Sequence, residues 1–543
     1  MSSSSSFSAS LLPVTLLSLA GFAIYRLLVY PLFISPLAKI PSAHWSSAIS
    51  PLWILYVRFK QNETETLAGV HEALGPVVRV GPNDVSVNDI GFAKTIHTSF
   101  NRTKYYSIFV NYDTSCMFST IPSKEHAMRK RLVSHVYTKT FIQSSPTVAS
   151  QARAILLDRL LPVITASTAA GQESHGIEVS ALFMATSMDF ITAHGYGLAG
   201  GTDFLHRTVY CEHWIQTYIT RFQALFYLQE LSGITRFLAK VGMRLQPRTS
   251  IQAKAELEDW NQGMFDRTAV RLADHSGLQD DGVLAESRTK TTRLSDDSDA
   301  LKTTFAWGQP EDEPTVMLSL LSSLEREQAA HKVDRALYDK ILREPVLMAQ
   351  SELYDHIIAG QETTAMTLTY LAWKLAVHQD VQGLLRAELL SLQKSEDDPS
   401  APFFPDAKTL DALPVLHAVI METLRLHAPF EGPQPRQTPE AGCRVGPYEL
   451  PGGVRIATMA YTLHRDAVVF PDPETWDHTR WIGADDEAKK ARNRQFWAFG
   501  SGSRMCIANH FAMHELKAIA AMIYSRFKTH IVDDSMMDPE DKE

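Results

Sequence analysis

Apolar residues recur at helical spacing over most of the chain, most clearly near its end. Ile507, Phe511, Leu516, Ile519, Ile523 and Phe527 follow one another at intervals of three to five, which predicts a helix over 507–527 with one apolar stripe. A long helix is predicted over 351–377 and a shorter one over 416–427. Residues 177–268 read as mostly helical, and the aromatics there (Trp214, Tyr218, Phe222, Phe226 and Tyr227) are expected in the core, because large aromatics are mostly buried. A further helix begins at His126 and continues through Val133 and Val136. Strand signals are few. Residues 76–87 are an apolar alternation broken by Gly-Pro-Asn-Asp, which predicts a hairpin, and 455–459 predict a strand. Residues 101–122 are aromatic-rich without a period and form either a substrate-facing loop or, equally, a plain surface loop. Residues 274–313, rich in Ser, Thr and Asp, are expected to be a flexible insert. The pattern is that of a mainly α protein with small β-sheets, and no clean boundary divides 35–543.

The N-terminus departs from amphipathic patterning. Residues 1–25 carry no charge, and Leu11 to Tyr25 is almost wholly apolar. Fifteen residues are short for a span that needs ~20. With Arg26 snorkelling, the apolar stretch reaches Ile34 and becomes long enough. Residues 1–34 are therefore expected to be a membrane anchor. Arg26 and Lys39 on its C-terminal side place the body in the cytosol by the positive-inside rule. A cleaved signal peptide is the alternative, though the usual charged start is missing. The Asn62 and Asn101 glycosylation triplets are then expected to be unmodified.

Composition narrows this picture. Of 543 residues, 45% are hydrophobic, ample for a large core, and a net charge of -9 argues against nucleic acid as a partner. The four cysteines, Cys116, Cys211, Cys443 and Cys506, are far apart and form no zinc spacing. That usage suggests a reducing compartment with one thiol left for special use.

Cys506 is that thiol. It closes the loop Phe499-Gly-Ser-Gly-Ser-Arg-Met-Cys and lies at or just before a predicted helix N-terminus, where unpaired N–H groups favour an anion. Such a thiol is readily held as thiolate, the form that ligates iron. Gly500 and Gly502 allow positive φ and close approach to a flat ligand, and Arg504 offers a guanidinium to a carboxylate. A buried free cysteine beside a Gly-rich turn is the plain alternative.

Two further patterns carry chemistry. Ala359-Gly-Gln-Glu-Thr-Thr364 lies inside the 351–377 helix, where glycine costs ~1 kcal/mol against alanine. Gly360 is explained either by close helix packing or by room for a small ligand. Ala359 and Thr363 share a face, with Glu362 beside it able to carry protons. Glu422 and Arg425, at i and i+3, are flanked by Leu, Ile and Val, so the pair is expected to be buried with further hydrogen-bond partners.

Phe499, Gly502, Arg504 and Cys506 resemble the haem-binding loop of the cytochrome P450 family, with Ala508 where a glycine is usual. The 359–364 motif resembles the family's oxygen-activating helix, and Glu422, Arg425 and Arg480 resemble its structural triad, with His478 where proline is usual. The resemblance, most marked to fungal membrane-anchored members, covers roughly residue 35 to the C-terminus. It implies the P450 fold, a haem held between the Thr363 helix and a Cys506 thiolate, and propionate contacts from His126, Lys130 and Arg436, with Arg129 or Arg131 as substitutes. It implies Thr363 and Glu362 as catalytic residues and electrons from NADPH through a reductase, with cytochrome b5 as a further donor. The implied activity is a monooxygenase on an apolar substrate, in fungal secondary metabolism, at the endoplasmic reticulum membrane. A haem-thiolate isomerase or dehydratase, or a non-catalytic haem protein, would use the same cysteine. Family members continue past this point with a hairpin over the substrate pocket; sixteen residues follow Phe527, so the C-terminus is expected to be cut short.

Overall fold

The structure is a computed structural model that describes residues 5–168, 176–276, 308–330, 343–392, 404–483 and 485–537. The chain forms two compact units. Unit 1 comprises Met1–Tyr105, Glu431–Asp466 and Arg494–Arg504; unit 2 comprises Tyr106–Phe430, Ala467–Asn493 and Met505–Glu543. Most of the expected 274–313 insert lies outside the described residues. Its far end, inside unit 2, is fixed: Glu313 accepts from Thr147 at 3.1 Å, and the Glu311 carbonyl accepts from Leu198 at 2.8 Å.

Unit 1 is built on a five-stranded sheet of order β1-β2-β7-β4-β3. The expected hairpin is present as β1 (Val77–Gly81) and β2 (Asp84–Val87), paired antiparallel. Both are buried along their whole length, on both faces, so the polar members Arg79, Asp84 and Ser86 are inside as well as the valines. The edge strand β3 is Asn101–Arg102 and β4 is Gln434–Gln437. The pair β5 (Cys443–Val445) and β6 (Tyr448–Leu450) forms a separate small sheet. Finally β7 (Arg455–Thr458) lies parallel to β2 and antiparallel to β4.

Arg79 on β1 is 1% exposed. Its guanidinium donates to the carbonyls of Pro31 (2.8 Å), Pro82 (2.9 Å), Ala48 (3.2 Å) and Gly81 (3.3 Å). Pro31 belongs to the N-terminal apolar segment, helical over Ser5–Ile24 and continuing as a wider helix over Tyr25–Ile34. Val14–Ile34 is long and apolar enough to cross a membrane, and none of it is buried.

Unit 2 is organised around a 33-residue helix, Pro345–Val377, hereafter the central helix. The Val179–Tyr196 helix crosses it closely, and the reason is Gly360: a Cβ there would lie 2.8 Å from Ile191 Cγ1 and 3.0 Å from its Cδ1. Close packing thus explains that glycine. The helix expected over 507–527 is Asn509–Arg526; it packs against the central helix, and Phe511, Leu516, Ile519 and Ile523 are all buried. Of the five aromatics expected in the core, Trp214 and Tyr218 are buried, while Phe222, Phe226 and Tyr227 are half-buried.

Glu422 and Arg425, on the Pro414–Leu426 helix, are both wholly buried. Glu422 Oε1 accepts from Arg425 Nη2 (2.8 Å), Arg480 Nε (3.2 Å) and the Asp477 amide (2.9 Å), and its Oε2 accepts from Arg425 Nε (2.9 Å) and Trp481 Nε1 (2.9 Å). Arg425 also donates to the Pro473 and Thr475 carbonyls, and Arg480 to that of Asp472. The expected triad is present, and Trp481 is a partner the sequence did not reveal. Removing one member of such a buried set costs ~3–5 kcal/mol, against a total stability of only ~5–15 kcal/mol. Glu422→Ala is therefore expected to yield little folded protein, with a markedly lowered melting temperature by circular dichroism. Parent-like yield and melting would show the carboxylate to be dispensable.

Unit 2 also buries imidazoles. His194 stacks on Phe511 at 4.5 Å, and the Tyr137 hydroxyl lies 3.0 Å from His356 Nδ1. Burial pushes His194 down to about 3, and His356, His417 and His514 to about 4. A histidine depressed in the folded state stays neutral while the unfolded chain takes up a proton below ~6.5. Its stabilising contribution is thus complete above ~6.5 and is lost as pH falls toward the folded value, at up to ~1.4 kcal/mol per pH unit for each group. Melting temperature is expected to fall from pH 6.5 to pH 4, and His194→Phe, which keeps an aromatic ring against Phe511, is expected to make that fall shallower by about one proton. Parallel acid limbs in parent and variant would contradict this.

Candidate active site

Within unit 2 the central helix is buried along much of its length, yet its middle opens on one side. Ala359, Glu362, Thr363 and Met366 are exposed, at i, i+3, i+4 and i+7, which places them on one stripe. The Thr363 hydroxyl donates to the Ala359 carbonyl at 2.7 Å, so its proton is engaged and its lone pairs are left toward the open side. Glu362 Oε2 accepts from the Tyr218 hydroxyl at 2.9 Å. On the opposite face Thr364 donates to the buried Glu515 at 3.4 Å, and burial holds that carboxyl well above the usual carboxylate range.

Cys506 also lies in unit 2, three residues before the Asn509–Arg526 helix. It presents surface to open space, while dense protein around the rest of it pushes its thiol pKa up. The Ala508 N–H and the Lys130 charge act in the opposite direction and are outweighed. Without a bound cation, these surroundings favour the thiol over the thiolate. Coordination of a cation deprotonates such a thiol outright.

Lys130, on the Ser123–Val133 helix, donates from Nζ to the Met505 carbonyl at 3.2 Å, so this helix reaches the residue preceding the cysteine. His126, one turn earlier, is buried. Arg129 is committed elsewhere: it pairs with Glu352 at 2.8 Å and with Glu125 at 3.5 Å, both buried. Arg131 is exposed and pairs with Glu327 at 3.6 Å. Neither of these arginines is placed as a substitute for Lys130.

The other expected ligand contacts are in unit 1. Phe499 is half-buried and Arg504 is buried. Gly500 and Gly502 both have φ of 70°, as their loop requires. A Cβ on Gly502 would lie 2.6 Å from the His97 carbonyl oxygen, so the close approach this glycine permits is to protein backbone. Arg436 is buried and donates to His97 Nδ1 at 3.1 Å. With Nδ1 accepting, Nε2 carries the proton and donates to Thr458 at 2.7 Å. Burial first, then the charges of Arg436 and Arg102, hold His97 well below its ordinary value. No sequence signal marked His97.

An accessible thiol with an N–H aimed at its sulfur, in the same unit as a helix that is open at Ala359 and Thr363, suits a flat metal macrocycle. Residues 346–543, which contain both Cys506 and the 359–364 stripe, match the family model for cytochrome P450. The chain is 28% identical over 461 residues to the cytochrome P450 monooxygenase avaI of Aspergillus versicolor, covering 81% of this chain and 92% of that protein. It is 27% identical to the cytochrome P450 monooxygenase orf2 of Aspergillus niger over 98% of this chain and 95% of the relative. The monooxygenase tazI of Aspergillus terreus matches at 25% over 93% and 89%. The mainly helical fold, the loop that ends in Cys506 and the opened central helix accord with these likenesses: residues 346–543 match the cytochrome P450 model, and nearly the whole chain is similar to fungal cytochrome P450 monooxygenases.

Proposed function

We propose that the protein is a haem-thiolate monooxygenase that inserts one oxygen atom from dioxygen into an apolar organic substrate, with electrons from NADPH through a cytochrome P450 reductase and cytochrome b5 as a further donor. The observation that carries this reading is the pairing, within unit 2, of an accessible Cys506 thiol with a central helix whose one open stripe holds Ala359, Glu362 and Thr363. The bound haem supplies the oxidising chemistry, and a thiolate ligand favours O–O cleavage. Cys506 ligates its iron, with the Ala508 N–H stabilising the sulfur charge. Thr363 offers lone pairs to a water on the open side, and Glu362 passes protons inward from its free oxygen. Ala359 leaves room for small ligands. His126 and Lys130 are assigned to the propionate side. Phe499, Gly502, Arg504 and Arg436 are assigned to the haem by the resemblance alone. Residues 35–543 form the catalytic body and 1–34 the single-pass anchor in the endoplasmic reticulum, with the body cytosolic. We place it in fungal secondary metabolism, a reading with which the fungal sources of the relatives accord.

Cys506→Ala is expected to abolish the thiolate signature in the reduced, carbon-monoxide-bound spectrum of the purified protein. An unchanged signature would remove Cys506 as the ligand.

Deleting residues 1–34 is expected to move the protein from the membrane pellet to the carbonate wash. It also takes away the Pro31 carbonyl and leaves one donor of the buried Arg79 unmet, at ~1–3 kcal/mol. Deleting only 1–24 keeps that carbonyl, so it is expected to give the higher melting temperature. Full-length protein already in the carbonate wash would contradict the anchor.

A further inference from the structure

We propose that Tyr218 is a positioning residue that fixes the orientation of Glu362, so that the placement of the Thr208–Arg221 helix sets whether the acid is held for proton transfer. This rests on the oxygen-activating reading of the central helix given above. Glu362 is exposed, and a glutamate on an open helix face samples several rotamers, at a cost of up to ~2 kcal/mol to fix one. Here one oxygen is tied down, since Oε2 accepts from the Tyr218 hydroxyl at 2.9 Å.

The tyrosine itself has little freedom. It is buried, Trp214 stacks on its ring at 5.3 Å with planes 9° apart, and Phe222 meets its edge at 5.1 Å and 84°. A phenol turns its hydroxyl about one bond only, so a clamped ring offers its proton in a fixed plane. Burial and the adjacent Glu362 charge raise the Tyr218 pKa, so it stays a donor. Oε1 of Glu362 is then the oxygen left to take up and release protons.

One turn further along, the same helix is tied to the central helix again. Arg221 donates to the Tyr354 hydroxyl at 3.0 Å and to Asn111 Oδ1 at 3.0 Å, and its guanidinium lies 5.2 Å from the Tyr354 ring centre. Tyr354 and Glu362 are eight residues apart on the central helix, about 12 Å along its axis. Two ties at that separation resist both sliding and tilting. A shift of the Thr208–Arg221 helix by about 1 Å stretches a 2.9 Å hydrogen bond beyond useful length and frees the carboxylate. Movement of this helix is thereby coupled to the acid.

The test uses full-length holoprotein and the variants Tyr218→Phe, Glu362→Ala and the double substitution. Tyr218→Phe deletes one oxygen and keeps the ring, so the fold is retained. Chemical unfolding is measured first and needs no turnover. The two single effects are expected not to add, the double variant being about tenfold more stable in unfolding constant than their product. Turnover is measured with reductase, NADPH and 7-ethoxycoumarin as an apolar probe, following NADPH and peroxide. Peroxide per NADPH is expected to rise about threefold in Tyr218→Phe, and to be the same in Glu362→Ala with or without Tyr218→Phe. Additive effects in both measurements would overturn the positioning role, because a tyrosine that only packs acts equally in either background. A parent protein that oxidises no NADPH would overturn the monooxygenase reading instead, and the unfolding cycle would still decide whether Tyr218 holds Glu362.

Discussion

The Glu422 carboxylate is the acceptor on which unit 2 depends. Five N–H donors, from Arg425, Asp477, Arg480 and Trp481, converge on its two oxygens in a place with no solvent exposure. A carboxylate taken out of water loses a solvation energy that only such saturation replaces. Each donor is in turn set by something else: the arginines by the Pro473, Thr475 and Asp472 carbonyls, the indole by the short turn His478–Trp481 that carries it. The helix bearing Glu422 packs on the central helix and on the helix after Cys506. One satisfied charge therefore holds the backdrop against which the thiol and the open stripe are placed.

That backdrop explains how polar chemistry survives in a helix core. The central helix alternates between buried and open positions within one turn. Thr364 and Gln361 are buried, while Glu362 and Thr363 face outward. The buried positions secure the helix, through Thr364 to Glu515 and through Gly360 against Ile191. The open positions are thereby free of packing duty. A helix less well fixed on its inner face would turn its stripe away.

Local pattern made much of this legible. The helix after Cys506, the central helix, the 76–87 hairpin and the Glu422–Arg425 pair are each encoded within a few turns of chain, where periodicity and i, i+3 geometry apply. What escaped was encoded at long range. Tyr218 reads as a core aromatic because its partner, Glu362, is 144 residues away. Arg129 reads as interchangeable with Lys130 until Glu352 takes it. Gly502 reads as a ligand-facing glycine because nothing in its own loop announces the His97 backbone. Cys506 shows the same division: its helix end is visible in sequence, but the desolvation that raises its thiol pKa comes from the tertiary surroundings.

Arg79 gives the N-terminal segment a mechanical character. A tether that leaves its domain through a loose linker lets the domain roll at any angle. Here the segment's Pro31 carbonyl is gripped by a guanidinium whose other hydrogen bonds go to Ala48, Gly81 and Pro82 in the body of unit 1. The segment behaves as a mast stepped into a deck, and whatever angle it takes up is imposed on the sheet beneath it.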